Sequence, residues 1–160
     1  KYAVRLRAPW VMLLALAVLA TYVALGLLSV RSFNDYRTRS LATEGVVAAN
    51  RLKAEILETY RSKGASDMSC DAARCPFTGI AGVPSAHVRA LRSDRSGVIT
   101  VELADTVAKA PHNRLVFKPF IDGRPVDLSD PRNAAGNPVW RCGSDNSTTV
   151  EERHLPPGCR

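Results

Sequence analysis

The stretch APWVMLLALAVLATYVALGLLSV, residues 8–30, contains no charged side chain. At about 1.5 Å per residue, a helix of this length spans roughly 34 Å, enough to cross a ~30 Å hydrocarbon core with some tilt. In lipid the backbone must satisfy its own polar groups, so the stretch predicts a continuous helix. A buried helix of a soluble domain is usually shorter. A cleaved secretory signal would use Lys1, Arg5 and Arg7 as its basic region, but the apolar run is too long for one. Ala15-Leu16-Ala17 also lies too early in the run to serve as a cleavage site. The reading is a single membrane anchor that includes Trp10, Leu14, Leu19, Val23 and Leu28.

Beyond the anchor the helical pattern continues. Residues 31–63 hold no proline, and only Gly45 interrupts them. Ala49, Leu52, Ile56 and Tyr60 recur at steps of three and four, with Val46 beside them, which is the helical period. Arg51, Glu55, Glu58 and Ser62 fall on the opposite side. Lys53 projects close to the apolar stripe and is expected to snorkel outward. Together the two stretches predict one helical rod of roughly 55 residues, about 80 Å at the helical rise. Its first half is apolar all round, and its second half needs a partner for one stripe.

The chain has 160 residues and a formal charge of +7, with Lys1, Arg5 and Arg7 ahead of the anchor. Charges of both signs are interspersed along the remainder, and no basic cluster of the kind a nucleic-acid groove needs stands out. Arg31, Arg37 and Arg39 lie just after the anchor, so the basic residues on its two sides nearly balance. The cysteines decide the orientation instead. Cys70, Cys75, Cys142 and Cys159 all come after the anchor, in two sequence-local pairs, as expected of disulfides formed outside the cytosol. Three pairings exist, of which Cys70–Cys75 with Cys142–Cys159 is favoured. A four-cysteine zinc site competes poorly, because the second spacing is far too wide.

After a loop from Ser66 to Ser85, rich in Gly, Pro, Ser and Ala and pinned by Cys70 and Cys75, the period changes to two. Strands are expected at 88–92, 98–103 and 114–121, with Ile99, Val101 and Leu103 on one face. Pro119 assigns the third strand to an edge, or marks its end. Asp122-Gly123 is turn chemistry, and a short fourth strand covers 139–142. The expected fold is α+β: a long N-terminal helix packed on a small antiparallel sheet of three to four strands, with a disulfide-closed C-terminal loop. The segments are 1–30, basic leader-like segment and transmembrane helix; 31–63, amphipathic helix; 64–87, connecting loop; 88–160, sheet and C-terminal loop.

This organisation resembles a type IV pilin. Val139-Trp140-Arg141-Cys142 together with Leu155-Pro156-Pro157-Gly158-Cys159-Arg160 is similar to the family's ending, in which a tryptophan stands two residues before a cysteine and proline precedes the last cysteine. Phe33-Asn34-Asp35-Tyr36 resembles the aromatic segment of the pilin helix, and Gly97-Val98-Ile99-Thr100-Val101 one of its strands. The resemblance implies a structural subunit of a bacterial surface filament for adhesion, twitching motility or DNA uptake. It implies as partners copies of itself or other pilins through the N-terminal helix, the inner membrane, and pilus assembly proteins. The alternative is an uncleaved, membrane-anchored accessory protein that binds pilus or envelope components.

Three positions depart from the family's pattern. Pilin leaders end in glycine and are cut before an aromatic residue or methionine, whereas here Pro9 precedes Trp10. Leu14 stands where the family keeps an acidic residue, and Arg31 replaces a helix-bending proline. The segment 1–9 is therefore expected to stay attached.

Nothing along the chain reads as an enzyme or a cofactor site. His87, His112 and His154 lack metal-ligand spacing, and Glu151-Glu152 near His154 has no supporting constellation. Phosphate-loop, nucleophile-elbow and zinc-protease signatures are missing. Asn146-Ser147-Thr148 fits a glycosylation sequon, with ordinary loop residues as the alternative. The mild positive charge keeps nucleic acid as a further class of partner.

Overall fold

The computed structural model describes residues 8–71, 74–77 and 85–159. Helix α1 (Ala8–Lys63) is followed by strands β1 (Val88–Ser93), β2 (Ile99–Leu103), β3 (Arg114–Ile121), β4 (Arg124–Pro125) and β5 (Val139–Arg141). The chain divides between Tyr36 and Arg37 into two units. The expected leader-like residues 1–7 and parts of the expected loop, 72–73 and 78–84, lie outside the described residues.

In the first unit α1 is exposed on all sides: every described side chain of residues 10–34 is accessible. It is the one helix among the described residues long and apolar enough to cross a membrane. Two of its hydroxyls turn back on the helix. Thr21 Oγ1 donates to the Val18 carbonyl at 2.7 Å, and Ser29 Oγ to that of Leu25 at 2.8 Å. Each hydroxyl proton is thereby satisfied without water, as an apolar solvent demands.

In the second unit α1 buries a stripe. Ala42, Ala49, Leu52, Ile56 and Tyr60 pack with Ile99, Val101 and Leu103 of β2 and Leu115 and Phe117 of β3. Period-two burial along β2 supplies the matching face. Gly45 is no interruption. A Cβ there would stand 3.0 Å from Leu103 Cδ2 and 3.2 Å from Leu115 Cδ1 and Val101 Cγ1, so glycine lets the helix approach the sheet closely.

The sheet runs in the order β1-β2-β3-β4, with β5 also paired to β3. β3 is therefore central, which corrects the edge or strand-end placement drawn from Pro119. Its register with β2 ends at Ile99–Phe117, and the far half of β3 pairs with β5 through Lys118–Arg141, Pro119–Trp140 and Phe120–Val139. Pro119 lies just past the β2 ladder, where no donor toward that strand is required. Along the near half, Thr148 and Thr149 close the other side: Val116 N donates to Thr148 Oγ1 at 3.0 Å and Thr149 N to the Arg114 carbonyl at 2.9 Å. The two-residue strand β4 went unread in the sequence. Asp122 and Gly123 both take positive φ, 49° and 78°, as a tight hairpin turn requires.

Lys53 is half-buried at the margin of the stripe: its Nζ lies 3.9 Å from the centroid of the Phe117 ring and donates to Oδ1 of exposed Asn50 at 3.1 Å. Burial lowers its pKa to about 8, against the pull of the ring on the ammonium.

Candidate interaction surfaces

Disulfides join Cys70 to Cys75 and Cys142 to Cys159, leaving no thiol for the zinc alternative. The first bond sits where Cys70 exchanges two backbone hydrogen bonds with Ser93 at the end of β1, 3.1 and 2.8 Å. Ser93 Oγ also donates to the carbonyl of fully buried Met68. The segment after the helix is thereby pinned to the sheet. The second bond returns the chain to the residue after β5, and Leu155 and Cys159 are buried beside it. Arg39 in α1 donates from Nη2 to the Arg153 carbonyl at 2.7 Å, and the buried phenol of Tyr60 donates to the Asn133 carbonyl. A cavity of about 530 Å³ at the C-terminal loop is lined by Phe120, Trp140, Arg141, Asp145 and Glu152 among others.

The three histidines lie apart, each with its own neighbours. His87 Nδ1 is 3.0 Å from Glu44 Oε1, and Ser85 Oγ is 3.3 Å from Glu44 Oε2, so the pair ties α1 to the start of β1. His112 Nδ1 meets the Thr149 carbonyl at 3.3 Å. Glu151 is taken by Arg153 at 2.7 Å, with His154 at 4.0 Å. No group of three or more His, Cys, Asp or Glu suited to a metal occurs among the described residues. The threonine of the sequon is buried, and its hydroxyl accepts from Val116 N and donates to the Val116 carbonyl.

The anchor residues Trp10, Leu14, Leu19, Val23 and Leu28 remain 54–67% exposed. Phe33 and Tyr36 are exposed as well, at 65% and 69%. Such a continuous apolar surface is far larger than a soluble monomer leaves open. The second unit buries its own core, and among its described residues Val47 and Val139 are the large apolar side chains left in solvent.

A comparison with curated proteins finds no match. Residues 38–160 match the family model Pilin, described as a bacterial filament protein, over most of the chain. That match takes in the second half of α1, the whole sheet and both disulfides. The chain belongs to the pilin family, a structural and non-enzymatic one, and is a pilin-like filament subunit.

Proposed function

We propose that this subunit crosses the bacterial inner membrane once through residues 8–30, with the disulfide-bonded part outside the cytoplasm, and passes from the bilayer into a surface filament. The apolar, fully exposed first half of α1 carries this reading. Packing against neighbouring helices exchanges lipid contacts for helix contacts, so the stretch remains out of water in both states. The segments 1–30, 31–63, 64–87 and 88–160 then serve as anchor, amphipathic spine, connecting loop and exported sheet. Such a filament serves surface adhesion, twitching motility or DNA uptake, alongside pilus assembly proteins.

A second reading rests on Pro9 and Leu14. Proline before Trp10 rigidifies the bond a leader peptidase must recognise, and Leu14 supplies no carboxylate for a freed amine. A chain retaining Lys1, Arg5 and Arg7 would resist leaving the bilayer and act as a membrane-held accessory protein. Shearing of cells and N-terminal sequencing of the released protein separate the two. Protein in sheared filaments beginning at Trp10 supports the assembled subunit; uncleaved protein confined to inner membrane supports the accessory role. In the second case, Pro9→Gly with Leu14→Glu is expected to move the protein toward the sheared fraction.

A further inference from the structure

The uncharged stretch 8–30 carries hydroxyl groups on Thr21, Tyr22 and Ser29. Two of them are spent within the helix, Thr21 Oγ1 on the Val18 carbonyl and Ser29 Oγ on that of Leu25. The third is not. Tyr22 is 71% exposed, and its phenol has no hydrogen-bond partner among the described residues. Its ring holds the hydroxyl away from the helix, so it cannot fold back onto a carbonyl of its own turn as the short Thr and Ser side chains do.

Depth makes this costly. At about 1.5 Å per residue, the Tyr22 Cα lies roughly 12 Å inside the Val30 end of the stretch and roughly 21 Å from the Ala8 end. Helix side chains lean toward the N-terminus, so the ring points away from the nearer end and carries its hydroxyl toward the middle of the span. Aromatic residues with a polar tip ordinarily sit at the membrane interfaces, as Trp10 does near the start of the stretch. Lipid tails offer no acceptor at the depth of Tyr22, and an unpaired hydroxyl in hydrocarbon is unfavourable.

The partner must therefore be protein and must bring a polar atom to the same depth. A second copy of this chain does both. Two copies inserted in the same sense are parallel, and a two-fold axis between parallel helices sets each residue against itself. Each Tyr22 then meets its counterpart, one hydroxyl donating and the other accepting.

The face around Tyr22 permits the approach. With about 100° between successive residues, Ala15, Val18, Gly26 and Ser29 fall within about 40° of it. A Cβ built on Gly26 would meet nothing within 4 Å, so the chain's own packing does not call for glycine there. One turn beyond Tyr22, that glycine lowers the wall between two facing helices.

We propose that two copies of this chain pair in parallel within the bilayer through the face centred on Tyr22, with its hydroxyl as the polar contact. The inference rests on the reading of residues 8–30 as a membrane span, and adds to it a contact made before any filament forms.

The test uses the full chain in inner-membrane vesicles, with one added thiol and both native disulfides kept. Ala15→Cys places that thiol on the Tyr22 face, and Ala24→Cys on the opposite side of the helix. Oxidation with copper phenanthroline is expected to join chains carrying Ala15→Cys into dimers and to leave those carrying Ala24→Cys single. Adding Tyr22→Phe keeps the ring and removes the hydroxyl, and should weaken pairing about three- to tenfold at a fixed protein-to-lipid ratio. The melt of the second unit, read on the same variants, should not move. Equal crosslinking from the two faces, no loss in Tyr22→Phe, or crosslinks formed solely to other membrane proteins would each overturn the proposal. Alkaline carbonate extraction of the same vesicles separates the two readings. Release of the unmodified chain would remove the span and the pairing together, whereas retention without face-selective crosslinks would remove the pairing alone.

Discussion

Residues 10–34 of α1 expose every side chain, whereas residues 42–60 of the same helix bury one position in every three or four. Both halves are rich in apolar residues, so composition alone does not separate them. What separates them is where the charges fall. The first half has none before Arg31, and no face of it is marked for water. The second half carries Arg51, Glu55, Glu58 and Arg61 around a narrow stripe, so one side alone must leave solvent. The sheet provides that shelter in the second unit; for the first, lipid or neighbouring helices must.

The widest separation between the halves comes from placing a charge in each. Leu52→Asp or Ile56→Asp puts a carboxylate among fully buried side chains and should cost on the order of 4 kcal/mol or more, abolishing cooperative melting of the detergent-solubilised chain. Leu19→Asp should leave that melt unchanged and act on membrane retention instead, by about 2.5–3.5 kcal/mol. Coinciding melts for the two substitutions would break the contrast.

The disulfides rank next, and they act on the second unit alone. Cys142–Cys159 spans 17 residues and is worth about 3 kcal/mol in the chain-entropy estimate. Cys70–Cys75 spans 5 residues and closes a smaller loop, so it contributes less. Paired serine substitutions, compared by denaturant midpoint, should show that order. The reverse order would mean that the Cys70–Ser93 bridge anchors the second unit more strongly than the C-terminal loop does.

Much of this architecture was legible in the residues because it depends on local periodicity. An uncharged stretch, a stripe at three and four, and alternation at Ile99, Val101 and Leu103 each arise from neighbours in sequence. What escaped was whatever depends on register between distant strands. Pro119 looks like an edge signal until the β2 ladder is seen to stop at Phe117. Arg92, Arg114, Lys118 and Arg141 share one side of the sheet only through the register of β1, β2, β3 and β5, and no window of sequence contains them all. Lys53 had an aromatic ring waiting across the seam, and Gly45 read as a weak point because its close approach to Leu103 is a tertiary fact.

The glycines offer a finer version of the same contrast. Gly45→Val forces side-chain carbons into Leu103, Leu115 and Val101 and should cost about 1–3 kcal/mol. Gly26→Val, where a Cβ meets nothing within 4 Å, should leave the melt of the second unit unchanged. A shift at Gly26 as large as that at Gly45 would show that the halves are energetically coupled.

The smallest effect belongs to Lys53, and its sign depends on pH. With the folded pKa lowered from 10.5 to about 8, both states are protonated below pH 8, and the native state there carries the whole cost of burying the ammonium. Between pH 8 and 10.5 the unfolded chain holds the additional proton, so the contribution of Lys53 to stability improves as pH rises. Lys53→Met keeps a flexible stem against Phe117 without the charge. It should therefore raise the melting temperature at about pH 7, by an advantage that shrinks steadily toward about pH 10. The phenol of Tyr60, which burial holds above its ordinary pKa, works oppositely at the alkaline end but is common to both proteins and cancels in the difference. The ring pulls the other way throughout, because attraction to the Phe117 face favours the charged lysine. A loss of stability near neutral pH in Lys53→Met would mean that this attraction outweighs burial, and that the helix–sheet seam uses Lys53 as a stabilising cation.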